Sequence, residues 1–255
     1  MDIHKPKPWH GVREFLKEYV IIVVGVLTAL GAEQAVEAVH TAQKANEAEA
    51  LVREEMARNV LFAQQRVMIY PCNREQYRAV QRALLATPAD QPVAQFPYLF
   101  INTYRFNWVQ WESATASGIA GHFPEDRRLA YERMYITGAG VRSLETAQTS
   151  ELDAAAKLRT LRLPARRIDP VTREALLQAS EQGAYQEEAI AHNAGILIQH
   201  AAPLHLPPLK LSPQTKILGP ADAQACMDRV RAEEASLPPL QGTLDPDPSG
   251  PGRGR

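Results

Sequence analysis

The stretch from Lys5 to Ala38 constrains this chain more than any other. A basic lead flanked by aromatic residues runs into the apolar segment Val20-Ile21-Ile22-Val23-Val24-Gly25-Val26-Leu27-Thr28-Ala29-Leu30-Gly31-Ala32. Its uncharged core, Tyr19 to Ala32, is about 14 residues, whereas a hydrocarbon slab of about 30 Å needs about 20 helical residues. The flanks make up the difference. Phe15 and Leu16 precede the core and Ala35, Val36, Ala38 and Val39 follow it, while Lys17, Glu18, Glu33 and Glu37 are long enough to reach headgroups. Trp9, Phe15 and Tyr19 sit on the N-terminal side, where amphipathic rings favour the interface.

Lys5, Lys7, Arg13 and Lys17 come before the core; only Lys44 and Arg53 come soon after it. That bias predicts a cytoplasmic N-terminus and an exported remainder. Two other readings stay open. Ala29-Leu30-Gly31 has the small-x-small form of a signal-peptidase site, and a buried helix of a soluble protein could carry a similar run. The helical pattern passes straight through the cleavage site, and the run is apolar on every side, so an uncleaved signal-anchor fits best.

Helical periodicity continues past the core. Ala38, Ala42, Ala45, Val52, Met56, Val60, Ala63, Val67 and Tyr70 repeat at steps of three, four or seven up to Pro71, predicting one helix from about Val12 to Tyr70. Asn73, with Gln76 three residues on, is expected to cap a separate helix carrying Tyr77, Val80 and Leu84 and ending before Pro88. A helix is predicted from Thr103 to about Ala120, bearing Trp108 and Trp111 beside small residues. Another should start at Pro124 and run to about Leu163. Asp169-Pro170 is an N-cap followed by a first helical residue, opening a helix that lasts until Pro203. Leu204 to Pro220 is expected to be extended, Ala221 to Glu234 a short helix, and Leu237 to Arg255 disordered, being rich in Pro, Gly, Asp and Arg.

The expected class is therefore all-α: an N-terminal transmembrane helix continuing into a long helix and a periplasmic antiparallel helical bundle. The segments are a cytoplasmic lead over 1–18, the transmembrane helix over 19–38, the periplasmic domain over 39–236 and the tail over 237–255. A net charge of −1, with 22% charged residues, argues against a nucleic-acid footprint.

In an oxidising compartment an even cysteine count favours a disulfide between Cys72 and Cys226, with two free buried thiols as the alternative. Motifs for catalysis are missing: there is no His-Glu-x-x-His, Gly-x-Ser-x-Gly, phosphate loop or Cys-x-x-Cys. Gly138-Ala139-Gly140 lacks a preceding strand and a third glycine, so it is read as a helix-packing notch. Glu37-Ala38-Val39-His40 is a single Glu-x-x-His, where a carboxylate-bridged metal pair needs two. His192, His200 and His205 are the remaining polar candidates; His192 lies four residues after Glu188 on one helix face, a pair that stabilises a helix without any chemistry, and neither a metal nor a cofactor is expected. Tyr104, Trp108, Trp111, Glu112 and His122 would line a pocket if that helix and turn folded together; a plain aromatic core is the competing reading. Gly25 and Ala29, four residues apart, would let two copies of the membrane helix approach closely.

Lys-Pro-Lys-Pro-Trp-His-Gly at 5–11, Arg13-Glu14-Phe15-Leu16-Lys17-Glu18-Tyr19 and the Gly-x-Leu-x-Ala-Leu anchor within 23–35 together resemble an uncharacterised group of proteobacterial single-pass inner-membrane proteins. The resemblance covers about the first 40 residues and implies an inner-membrane location with a short cytoplasmic lead; it implies no activity. With packing surfaces but no reaction centre, the chain is read as a membrane-tethered interaction or scaffold protein and not an enzyme. Its expected partners are the lipid bilayer, a membrane or periplasmic protein, and a second copy of itself. The alternative is a periplasmic ligand-binding or sensory bundle that acts through a partner.

Overall fold

The computed structural model describes residues 11–93, 96, 101, 104–137, 140–163, 167–209 and 217–235. Most of the basic lead and the whole 237–255 tail lie outside the described residues. Among those described the fold is all-α, with six α-helices and no β-strand: α1 (Val12–Ala86), α2 (Val109–Ala116), α3 (Glu125–Ile136), α4 (Gly140–Leu158), α5 (Pro170–Ala201) and α6 (Pro220–Ala235).

The 75 residues of α1 make a rod about 110 Å long at 1.5 Å per residue. It has two parts. Up to Lys44 it stands alone, with Val23 and Thr41 half-covered and the other side chains exposed; from Ala45 onward it is the central helix of the bundle. Its buried positions there follow a seven-residue repeat, Ala45, Val52, Asn59, Arg66, Asn73 and Val80, joined by Glu49, Met56, Ala63, Tyr77 and Leu84. A repeat averaging 3.5 residues keeps one seam of a helix against shallowly crossing neighbours, which suits a bundle.

This repeat corrects the expected end at Tyr70. α1 continues through Pro71, which lies on the exposed face. A proline removes one backbone donor and frees the carbonyl four residues earlier; here that residue is Val67, also exposed, so water can satisfy it. Asn73 accordingly does not cap a helix. It is fully buried in the seam.

After Thr87 the chain turns back, and its path explains why so many polar side chains face inward from α1. A non-helical segment needs partners for its backbone groups, and below Phe96 α1 supplies them in descending order. Val93 and Phe96 pack near the far end, with the Phe96 amide donating to the Leu161 carbonyl (2.9 Å). Lower down, the Tyr104 hydroxyl donates to Gln65 Oε1 (3.3 Å). Asn59 then clamps Asn107 twice, donating from Nδ2 to its carbonyl (2.6 Å) and accepting from its amide at Oδ1 (3.0 Å). Lower still, the Glu55 carboxylate accepts from the Gln110 and Trp111 amides (2.9 and 3.0 Å). Glu55 thus caps α2 from another helix, where a carboxylate meets the positive end of the dipole. With Asn107 held extended and the first amides of α2 capped in this way, the helix begins at Val109, not at Thr103 as the sequence suggested. Gln65 serves a second segment as well, accepting from the Leu218 amide (2.7 Å) and donating to its carbonyl (3.2 Å).

The helix expected over 124–163 is likewise two helices. α3 ends at Ile136, and α4 starts at Gly140 with φ +83°, a left-handed value that glycine adopts without strain. Gly140 therefore marks a turn and not a packing notch; Gly138 and Ala139 lie outside the described residues. α5 begins where the sequence placed it. Asp169 accepts from the Thr172 amide (3.0 Å) and Pro170 is the first helical residue.

α5 runs against both α1 and α4, and α6 packs on α1. Two hydrophobic clusters result. The one nearer the bare segment gathers Val52, Met56, Trp108, Trp111, Tyr131, Leu144, Ile190 and Leu197. The farther one gathers Ile69, Tyr77, Val80, Leu84, Leu158, Leu176 and Val230.

Candidate functional site

The first site is the bare part of α1. It is long and apolar enough to cross a membrane, with a mean hydropathy of 1.9 over its best window and none of that window buried by protein. Ile21, Ile22 and Leu27 are 71%, 64% and 63% exposed. Gly25 and Ala29 lie here, and a Cβ placed on Gly25 would meet nothing within 4 Å. His40 is exposed near the end of this segment.

The five residues expected to line a pocket do not share one. Trp108 and Trp111 are buried, stacked edge-on to Tyr135 and Tyr131 at centroid distances of 5.8 and 6.0 Å. Phe123 extends this cluster against Tyr131 (6.4 Å). Glu112 lies outside it, accepting from the Tyr135 hydroxyl (3.1 Å). Tyr104 packs on Phe62 beside Gln65, higher up the bundle. His122 is exposed at the opposite end, where it borders an open cleft with Glu37, Ala38 and Thr41. The group is an aromatic core with polar edges. Its main anchor is Glu49, which accepts from the Tyr131 hydroxyl (3.0 Å) and pairs with Arg127 (2.7 Å). Burial pushes the Tyr131 phenol up to about 12.

His192, His200 and His205 do not converge with other ligands, and no group of three His, Cys, Asp or Glu capable of holding a metal occurs among the described residues. His205 instead turns the chain with φ +44°, and its carbonyl accepts from Arg53 (2.8 Å).

Cys72 and Cys226 are brought to disulfide distance, with Cα atoms 5.9 Å apart. α6 reaches Cys72 because Leu218 is held on Gln65, two turns of α1 lower, and both helices then rise in the same direction.

The most unusual chemistry lies between the two hydrophobic clusters, and the sequence reading missed it. Arg66 of α1, Glu151 of α4 and Glu187 of α5 are all fully buried. Arg66 Nη2 donates to Glu151 Oε2 at 2.6 Å and lies 3.5 Å from Glu187 Oε1. Asn73 Nδ2 also donates to Glu187 Oε1, at 2.7 Å. The Tyr77 hydroxyl, 3.5 Å from the Glu151 carbonyl, closes the far side of the layer.

The electrostatics of this layer follow from burial. Removal from water works against the Arg66 charge, but Glu187 and Glu151 outweigh it and hold the guanidinium ionised. Glu187 is pushed well above the ordinary carboxylate range, first by burial and then by its hydrogen bond with Glu151. Burial also raises the Tyr77 phenol, followed by the fields of Glu151 and Glu187. The residues are separated by 85 and 114 positions along the chain across the Arg66–Glu151 and Asn73–Glu187 contacts, so no local motif marks them. The available signal was the seven-residue repeat, which places Arg66 and Asn73 on the seam of α1 with Ala45, Val52 and Val80.

No protein-family model matches the chain, and neither does any curated protein or solved structure.

Proposed function

We propose that this protein is a periplasmic helical scaffold held at the bacterial inner membrane by an uncleaved N-terminal helix, where it binds a membrane or periplasmic protein. The observation that carries the proposal is the continuity of α1. One helix is both the bare apolar rod and the central column of the bundle. Apolar side chains such as Ile21, Ile22 and Leu27 are worth roughly 1.5–3 kcal/mol each when withdrawn from water, and no part of the described chain covers them, so a bilayer is the natural solvent for this segment. The Lys/Arg bias then puts the lead in the cytoplasm and the bundle outside.

Burial begins at Ala45, close after the apolar run, so the bundle would stand directly on the membrane surface. Its aromatic cluster is packed shut and its ionic layer is sealed from solvent, which favours a role in binding over a reaction. Purification of the full chain in mild detergent tests the reading. A stoichiometric protein partner is the expected result. Thermal stabilisation by a small molecule in the absence of any partner would instead favour a sensory bundle.

A further inference from the structure

The buried layer of Arg66, Glu151 and Glu187 holds two carboxyl groups against one guanidinium. Three contacts account for the inner oxygens: Arg66 to Glu151 Oε2, Arg66 to Glu187 Oε1, and Asn73 to Glu187 Oε1. The outer oxygens, Glu151 Oε1 and Glu187 Oε2, are buried and have no donor. Carboxylate oxygens only accept, and an orphaned buried acceptor is costly. Arg66 Nη2 touches both carboxyl groups, at 2.6 and 3.5 Å, so the two lie side by side in the sealed layer with one cation between them. A single shared proton supplies the missing donor and also balances the layer's charge, leaving one cation and one anion.

The hydrophobic core is interrupted at this level, with separate clusters on either side. α1 lacks a backbone donor at Pro71, and α5 carries Gly183, whose small size admits the Tyr77 ring. The geometry points to a one-proton latch: the proton held between Glu151 and Glu187 fastens α5 to α1 and α4, and its release as the medium becomes less acidic loosens α5 at this level.

The latch is set by groups on α1 and α4. α1 presents Arg66 and Tyr77 to Glu187, and α4 presents Glu151. α3 also packs on α5, but its Arg127, Tyr131 and Tyr135 engage Glu49 and Glu112 at the end nearer the bare segment. α6 packs on α1 through Cys226 and Val230, and its Asp222 accepts from the Gly219 amide beside Leu218. On α5 itself, the neighbouring Glu188 points outward to Arg74 at 3.9 Å.

The sign of the response follows from the raised Glu187. A carboxyl group whose value is higher in the packed state contributes its full stability below the unfolded value, about 4.5, and loses it as the pH climbs toward the packed value. Over that window the opening constant of α5 should rise about tenfold per pH unit, because each opening releases one proton. Hydrogen exchange on the full chain in detergent, corrected for intrinsic rates, measures this through the α5 amides near 180–190. In Glu187→Gln the amide supplies the donor permanently, so the opening constant should be independent of pH. Equal slopes in the two proteins, or no slope in the native one, would overturn the latch. If Glu187→Gln does not fold, infrared spectroscopy of the native chain decides the matter. A protonated-carboxyl band at neutral pH that disappears in alkali as α5 amides lose protection is expected; its absence at neutral pH would overturn the proposal.

Discussion

Replacing Arg66 with methionine should be among the most damaging single changes available in this protein, and for a reason that a second substitution can expose. Methionine keeps the aliphatic stem of arginine and loses the guanidinium group, so a small cavity adds to an effect that is mainly electrostatic. Glu151 loses its 2.6 Å partner and Glu187 its 3.5 Å partner, with all three side chains fully buried. Breaking a buried pair by removing one member costs about 3–5 kcal/mol. For a domain of this size each kcal/mol lowers the melting temperature by about 2–4 °C, so Arg66→Met should melt roughly 6–20 °C below the native protein at neutral pH. The deficit should shrink in acid, where both carboxyl groups can take up protons. Adding Glu151→Gln removes the surplus negative charge and provides a donor for Glu187, so the double variant should recover most of the loss. Thermal unfolding followed by circular dichroism at pH 5 and pH 8 reads all three proteins. If Arg66→Met costs less than about 1 kcal/mol, or if the double variant is less stable than the single, the ionic account of this layer is wrong.

Three further outcomes are expected. Cys72→Ser and Cys226→Ser should each lower stability in oxidising buffer by up to about 5 kcal/mol, the chain-entropy value for closing a loop this long. The double variant should be no worse than either single, and labelling of the native protein after denaturation without reductant should find no reactive thiol. Gly183→Ala should destabilise the bundle, because the new Cβ would fall 2.2 Å from the Tyr77 ring; overpacking costs about 1–3 kcal/mol, more than the roughly 1 kcal/mol by which alanine favours a helix, and a gain in melting temperature would contradict the packing. Gly25→Leu should weaken dimerisation of the isolated anchor peptide in bilayers if two copies meet through Gly25 and Ala29, and an unchanged monomer-dimer balance would remove that contact.

The elements that were legible in the sequence are those with local causes. Asp169-Pro170 announced the start of α5 because cap and first residue are adjacent. The apolar run announced the bare helix because its composition alone sets it apart. The misread boundaries share a different physics. Pro71 ends the apolar repeat in the sequence, yet a proline on the solvent face of a helix held by its opposite seam need not end the helix. The start of α2 was misplaced because its caps, Asn59 and Glu55, come from about fifty residues earlier. A reading based on apolar periodicity also followed Val60, Val67 and Tyr70, which are only half-buried or exposed, and passed over Asn59, Arg66 and Asn73, which are buried. Those polar residues occupy the seam because they serve backbone and carboxyl partners that only the folded chain assembles. For the same reason the ionic layer had no sequence signature beyond its place in the seven-residue repeat.

The central claim, a bundle rooted in the membrane by an uncleaved helix and standing outside the cytoplasm, is tested most directly by protease added to spheroplasts. The account predicts that the bundle is digested from outside. A short membrane-bound fragment carrying the N-terminal lead should remain after an alkaline wash. A bundle that resists digestion until the inner membrane is lysed, or a soluble chain that begins near Ala32, would contradict it.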